Sequence, residues 1–116
     1  MRHVTLSILT CTLLLSFPLV SAPKGMTMSA TAFTRRGPTA GGIKAQRGIV
    51  AADPRVLPLG TVIRVRGARQ YSGTYVVADT GRGIRGREID IFVRSPRDAR
   101  RFGRRNVHVE ILRRAK

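Results

Sequence analysis

With 116 residues, 42% of them apolar and 5% aromatic, the chain has room for one core and excludes two independent domains. Twenty-two Lys and Arg against six Asp and Glu give a formal charge of +16, which directs the surface toward anionic polymers. One Cys and two His exclude a Cys/His zinc cage and an intrachain disulfide.

Arg2 and His3 precede an apolar run over 4–20 that ends in Val20-Ser21-Ala22. A charged start, an apolar middle and small residues before a cut form the layout of a secretory signal. Residues 1–22 are therefore expected as an export leader, either removed or kept as an N-terminal anchor, and 23–116 as the folded domain. Pro23 directly after the cut opposes cleavage, whereas 6–20 is short for a span of about 20 residues. Cys11, inside the run, reads as a small hydrophobe.

Beyond the leader, 26–33 alternates larger and smaller side chains and predicts a first strand. Gly37-Pro38, Gly41-Gly42 and Gly48 predict one long loop over 35–48, and loops of about 12–15 residues without structure of their own are usually functional. Ile49-Val50-Ala51-Ala52 reads as a short apolar strand closed by Asp53-Pro54. An extended piece over 56–60, turning at its end, leads into a strand over 61–66 with Ile63 and Val65 on one face. A hairpin-type connection over 67–73 precedes a central strand over 74–78, which Asp79-Thr80-Gly81-Arg82-Gly83 breaks. Ile89, Ile91 and Val93 alternate with Asp90 and Phe92 in a further strand. Ser95 as N-cap, Pro96 at the first position and Asp98 near the positive end of the dipole start a helix that Gly103 ends. Val107, Val109 and Ile111 mark a last strand. About six short strands and one or two short helices, a mainly all-β set, describe a small β-barrel. No internal repeat is visible.

The six acids are Asp53, Asp79, Glu88, Asp90, Asp98 and Glu110. Asp53 and Asp79 follow apolar strands directly, and Asp90 lies inside one; such positions can converge in a cleft. Asp53 before Pro54 also suits an Asx-type turn, and Asp79 before Thr80-Gly81 suits a turn closed through backbone hydrogen bonds. Asp90 shares a face with Glu88 and Phe92, opposite Ile89 and Ile91, so it meets either solvent or a lined pocket. A pocketed carboxyl beside Phe92 is desolvated, which raises its pKa toward the range of a proton donor.

Ala30-Thr31-Ala32-Phe33, Thr39-Ala40-Gly41-Gly42, Gly48-Ile49-Val50-Ala51-Ala52-Asp53-Pro54, Leu57-Pro58-Leu59-Gly60-Thr61, the segment from Ala78-Asp79-Thr80-Gly81 to Gly86, and Ile89-Asp90-Ile91-Phe92 follow one another in a fixed order. With Phe102-Gly103 and Val107-His108-Val109-Glu110-Ile111-Leu112, this order resembles the three-aspartate, or 3D, domain family of muralytic proteins. The resemblance implies a double-psi β-barrel that cleaves peptidoglycan glycan between N-acetylmuramic acid and N-acetylglucosamine. By the same resemblance Asp90 is the catalytic acid/base, Asp79 and Asp53 shape and support the site, and Thr39 belongs to a substrate-lining loop. Gly81, Arg82 and Arg85 join Thr39 as expected substrate contacts. Arg82 replaces a usual Gly and Arg85 a usual Lys, and Arg82 narrows the cleft or grips a substrate carboxylate.

A lytic transglycosylase needs one carboxyl group where a hydrolase uses two, because the sugar's own C6 hydroxyl is the nucleophile held near C1. No cofactor is expected: three Asp can hold a hard cation, but no loop of calcium-binding form is present. The expected partners are peptidoglycan glycan strands and anionic wall polymers, with no obligate protein partner. Two other readings stand beside this one: a barrel that binds wall glycan without cutting it, and a basic nucleic-acid-binding barrel. Few aromatics are available for base stacking.

Overall fold

The structure, a computed structural model, describes residues 12 and 25–115. Apart from Thr12, the leader expected over 1–22 lies outside the described residues. Among the described residues no helix is long and apolar enough to cross a membrane.

Among the described residues period-two alternation produces six strands: β1 (Met26–Phe33), β2 (Ile49–Ala52), β3 (Val62–Arg66), β4 (Gly73–Asp79), β5 (Glu88–Phe92) and β6 (Arg105–Arg113). One alternate set faces inward. Met28, Ala30, Val50, Ala52, Ile63, Val65, Val77, Ile89, Ile91, Val107 and Val109 are buried together in the barrel core, and each fully buried Val or Ile there contributes about 1.5–3 kcal/mol. Leu57 fills the same core from the turn after β2.

The strands close in the order β1-β5-β2-β4-β3-β6. β1 runs parallel to β5 and β2 parallel to β4, and the other pairs are antiparallel. Exchanging β1, β2 and β3 with β4, β5 and β6 reproduces the same set of neighbours. This internal twofold of topology is the double-psi arrangement, and closure leaves no edge strand open.

Among the described residues one α-helix, α1 (Pro96–Phe102), crosses from β5 to β6. Ser95 Oγ accepts from the Asp98 N–H at 3.1 Å, and Gly103 ends the helix at φ 63°. Phe102 anchors it in the core. The connection over 67–73 contains a 3₁₀ turn, Arg69–Tyr71. The piece expected to be extended over 56–60 instead coils at its start. The Asp53 carbonyl accepts from the N–H groups of Val56 and Leu57, both at 2.9 Å, and this turn drives Leu57 into the core.

A second apolar cluster lies on the outer face of the barrel. Ile49, Ala78 and Phe92 are buried there against Phe33 and Ala45, with Phe33 and Phe92 edge to face at 5.6 Å. Ala45 belongs to the loop over 35–48, which is folded rather than loose. Pro38 and Lys44 form a bridge, and the Gly41 N–H donates to the Ala78 carbonyl at 2.8 Å. A Cβ at Gly41 would come within 2.7 Å of that oxygen, so the loop lies this close to β4 only with glycine there.

Candidate functional site

Four side chains stand in one row across the outer face. Thr31 on β1 is the register partner of Asp90 on β5, Asp90 of Ala51 on β2, and Ala51 of Asp79 on β4. Neighbouring strands lie about 4.8 Å apart, which sets the backbones of Asp90 and Asp79 about 10 Å apart. Ala51, between them, is only 4% exposed, and its single methyl leaves the space above it open.

Asp79 reaches this row through an irregularity. Val50 pairs with Val77, but the next residue, Ala51, pairs with Asp79, so Ala78 is an extra residue in β4. Strict alternation from Tyr75 and Val77, both in the core, would send Asp79 inward as well. The bulge turns it out beside Ala78, a recurrent way of re-aiming a side chain next to a site.

Asp90 is half-buried, and burial pushes its carboxyl above the ordinary value; the Thr31 hydrogen bond and the charge of Arg104 pull the other way without cancelling the rise. Its protein hydrogen bond comes from Thr31 Oγ1, which donates to Oδ1 at 3.0 Å. Asp79 is bound differently. Its Oδ1 accepts from the N–H groups of Ala40 at 3.0 Å and Thr80 at 2.9 Å, which ties the 35–48 loop to the end of β4.

Between these carboxyl groups opens a cleft of about 510 Å³, lined by Asp79, Asp90 and Ala51 on the sheet, by Thr80 and Gly81 after β4, and by Phe33 and the loop residues 35–38 and Ala45. Gly81 has no room for a side chain, since a Cβ would meet Ile84 Cγ1 at 2.6 Å. The arginines at this cleft are Arg35 and Arg36; Arg82 and Arg85 are exposed on the β4–β5 connection and do not line it. Thr39 is buried and its hydroxyl donates to the Ile43 carbonyl at 2.6 Å, so it stiffens the loop from within instead of facing the cleft.

Asp53 also stands apart from the pair. It is 3% exposed and its two oxygens accept from the Arg55 side chain at 3.1 and 2.9 Å, from the Arg55 N–H at 3.0 Å and from the Gly86 N–H at 2.8 Å. The Arg55 guanidinium, then the Gly86 and Arg55 N–H groups, hold its carboxyl well below the usual carboxylate range. Asp53 therefore forms the Asx-type turn and, through Gly86, fastens the connection that leads from Asp79 to Asp90. Among the described residues no group of three His, Cys, Asp or Glu side chains is placed to hold a metal ion.

Thr31 is the residue that sequence reasoning passed over. Its neighbours form a plain alternating strand, and only the parallel pairing of β1 with β5, distant in sequence, brings its hydroxyl to Asp90.

The profile of the 3D domain family matches residues 48–113. The chain is 39% identical over 100 residues to the cell wall-binding protein YocH of Bacillus subtilis, covering 78% of this chain and 33% of that protein. It is 37% identical over 101 residues to the putative cell wall shaping protein YabE of the same organism, covering 79% of this chain and 24% of that one. The chain thus spans a third or less of the length of these relatives. Among solved structures, an apo form of an E. coli lytic transglycosylase MltA variant superposes with a TM-score of 0.56 at 20% identity, covering 71% of this chain and 29% of that one. This likeness is one of fold.

Proposed function

Because the chain belongs to the 3D domain family, we propose that it acts outside the cytoplasm on the glycan strands of peptidoglycan, as a lytic transglycosylase with Asp90 as its single acid/base. The observation that carries this reading is the half-buried Asp90 carboxyl, raised in pKa by desolvation, facing a cleft that it shares with Asp79. A carboxyl so placed retains its proton to higher pH than a surface aspartate and can deliver it to a leaving oxygen.

The reaction balances on this one group. Protonated Asp90 gives its proton to the oxygen that links C1 of the muramic sugar to the next sugar, and the C1–O bond breaks. The oxocarbenium-like centre is closed by the C6 oxygen of the same sugar, whose proton returns to the Asp90 carboxylate. The products are a 1,6-anhydro end and a free hydroxyl on the departing strand. Because the nucleophile is already held near C1, no water has to be positioned. Thr31, donating to Oδ1, holds the carboxyl in one orientation, and the Asp79 side chain supplies negative character on the far side of the cleft, where positive charge develops on the ring.

Similarity to the cell wall-binding protein YocH favours a second reading, a barrel that binds wall without cutting it. Nucleic-acid binding is less well served, because Phe92 and Phe102 are buried and Tyr75 is 8% exposed, which leaves few faces for base stacking. Mass spectrometry of purified sacculi after incubation with the protein separates the readings. Anhydro ends support the transglycosylase, reducing ends a hydrolase, and retention without fragments a binder. Asp90→Asn is expected to lower anhydro product by about 10²–10⁴-fold, the scale of a lost general acid, with retention on the wall kept; wild-type release by that variant refutes the mechanism.

A further inference from the structure

The cleft between Asp79 and Asp90 does not end at the 35–48 loop. Arg36 and Ala45 are common to it and to a neighbouring cleft of about 530 Å³, whose other lining residues are Gln46, Arg47, Phe92 and Arg94. Half of that lining is arginine and none of it is acidic. Phe92 follows Asp90 by two residues on the same outer face of β5, a rise of about 7 Å along the strand. The arginines therefore begin about one sugar's length from the candidate acid.

These guanidinium groups combine two features: they share one concave lining and, like most arginines among the described residues, they carry no carboxylate partner. Arg55, Arg64, Arg66 and Arg104 each have a carboxylate oxygen within 4.0 Å, whereas among the described residues none lies that close to Arg36, Arg47 or Arg94. Arg47, Phe92 and Arg94 also line a third opening, where Asp98 is the one acid. A concave, arginine-rich surface without its own counter-charges is built for anions, and the planar guanidinium fork matches a carboxylate in particular.

We infer that Arg36, Arg47 and Arg94 form an anion subsite that takes carboxylates carried by the peptide stems of the glycan strand lying over Asp90, an inference that rests on the wall-glycan reading above. The carboxylates and the scissile bond then belong to one polymer, so capture of the stem sets which sugar faces Asp90. A phosphodiester on an attached wall polymer offers related chemistry, but is not tied to the strand at every muramic residue as the stems are.

The test measures retention on three preparations: sacculi stripped of phosphate polymers, the same sacculi with their carboxylates amidated, and unstripped sacculi. Wild type, Arg47→Gln/Arg94→Gln and the charge-matched Arg100→Gln/Arg113→Gln are compared, with circular dichroism confirming the fold of each. On stripped sacculi the first pair is expected to lose roughly tenfold in affinity, the scale of two screened ion contacts, while the second pair stays near wild type. On amidated sacculi wild type is expected to fall to the level of the first pair. Equal losses from both pairs reduce the effect to overall charge and overturn the subsite. Binding that needs the phosphate polymer and ignores amidation overturns the carboxylate as its ligand. Wild-type release of anhydro ends without carboxylate-dependent retention sinks the subsite and leaves the enzymatic reading standing; carboxylate-dependent retention without any cut ends does the reverse.

Discussion

Replacing Thr31 with Val removes the hydroxyl that donates to Asp90 Oδ1 at 3.0 Å and leaves a side chain of nearly the same shape on β1. A hydrogen bond to an ionised acceptor is worth about 1.5–3 kcal/mol and one to a neutral acceptor about 0.5–1.5. The charged form of Asp90 therefore loses about 1 kcal/mol more than the protonated form, a factor of about five in its proton affinity. Thr31 already opposes the rise that burial causes, so its loss lets the midpoint climb further. The direct assay is a ¹³C-carboxyl NMR titration of Asp90 in both proteins, which needs no substrate and no turnover. The wild-type midpoint is expected above the ordinary value of 3.8, with that of Thr31→Val higher still. In glycan release the alkaline limb of the pH profile moves the same way, because the donor must carry its proton. At lower pH, where both acids are protonated, the variant is slower, having lost the bond that orients its carboxyl. A midpoint that stays put or falls in Thr31→Val refutes the assignment of Thr31 as the positioning partner.

Asp90→Asn changes stability with a sign fixed by the raised pKa. A carboxyl whose folded value lies above its unfolded one favours the fold most when protonated, and that contribution is lost as pH rises through the folded value. Thermal melts are thus expected to coincide below about pH 3 and to diverge toward neutrality with the variant higher; parallel melts at all pH values would remove the desolvation argument. Asp53 has the opposite sign, being held low by Arg55, so its contribution is present above the unfolded value and disappears on acidification; Asp53→Asn is expected to flatten the acid limb of the melting curve. Asp79→Ala releases the Ala40 and Thr80 N–H groups, each bond worth about 1 kcal/mol after allowance for solvent. Tryptic cuts at Arg35, Arg36, Lys44 and Arg47 should then appear well before the barrel is digested. Ser95→Ala deletes the cap on α1 at about 1 kcal/mol, a fall in Tm of about 4–8 °C for a domain of this size.

Local chemistry made much of this architecture legible. Ser95, Pro96 and Asp98 define the start of α1 and Gly103 its end, because caps and φ preferences act within a few residues. Ile89 and Ile91 against Asp90 show the two faces of β5 for the same reason. Whether that outer face met water or a pocket was not readable. The answer depends on the 35–48 loop being fastened to Ala78 and Asp79, contacts that span most of the distance from β1 to β5. Arg82 and Arg85 are expected at the cleft because they stand where the family pattern has Gly and Lys, yet the arginines that line it come from the loop. The turn at 54–57 was hidden by its apolar residues, Val56 and Leu57, which look extended until Asp53 captures their N–H groups.

The bulge at Ala78 carries the deepest consequence of closure. β2 and β5 lie antiparallel at the centre of the topological twofold, and Ala51 faces Asp90 across it. A barrel that kept its symmetry in chemistry would place equivalent side chains at these two positions. Here one is a carboxyl and the other a methyl, so a single acid is set over an open floor instead of being paired with a second one that would compete for its proton. The complementary charge arrives from β4, one strand further on, and only because an extra residue shifts the register there. If β4 instead paired regularly, with Ala78 opposite Ala51, alternation would swing Asp79 toward the core occupied by Tyr75 and Val77, where a carboxylate is costly to bury. The direction of the second aspartate is therefore set by the bulge that leaves Ala78 unpaired between Val77 and Asp79, a property of strand pairing that the alternation of β4 by itself contradicts.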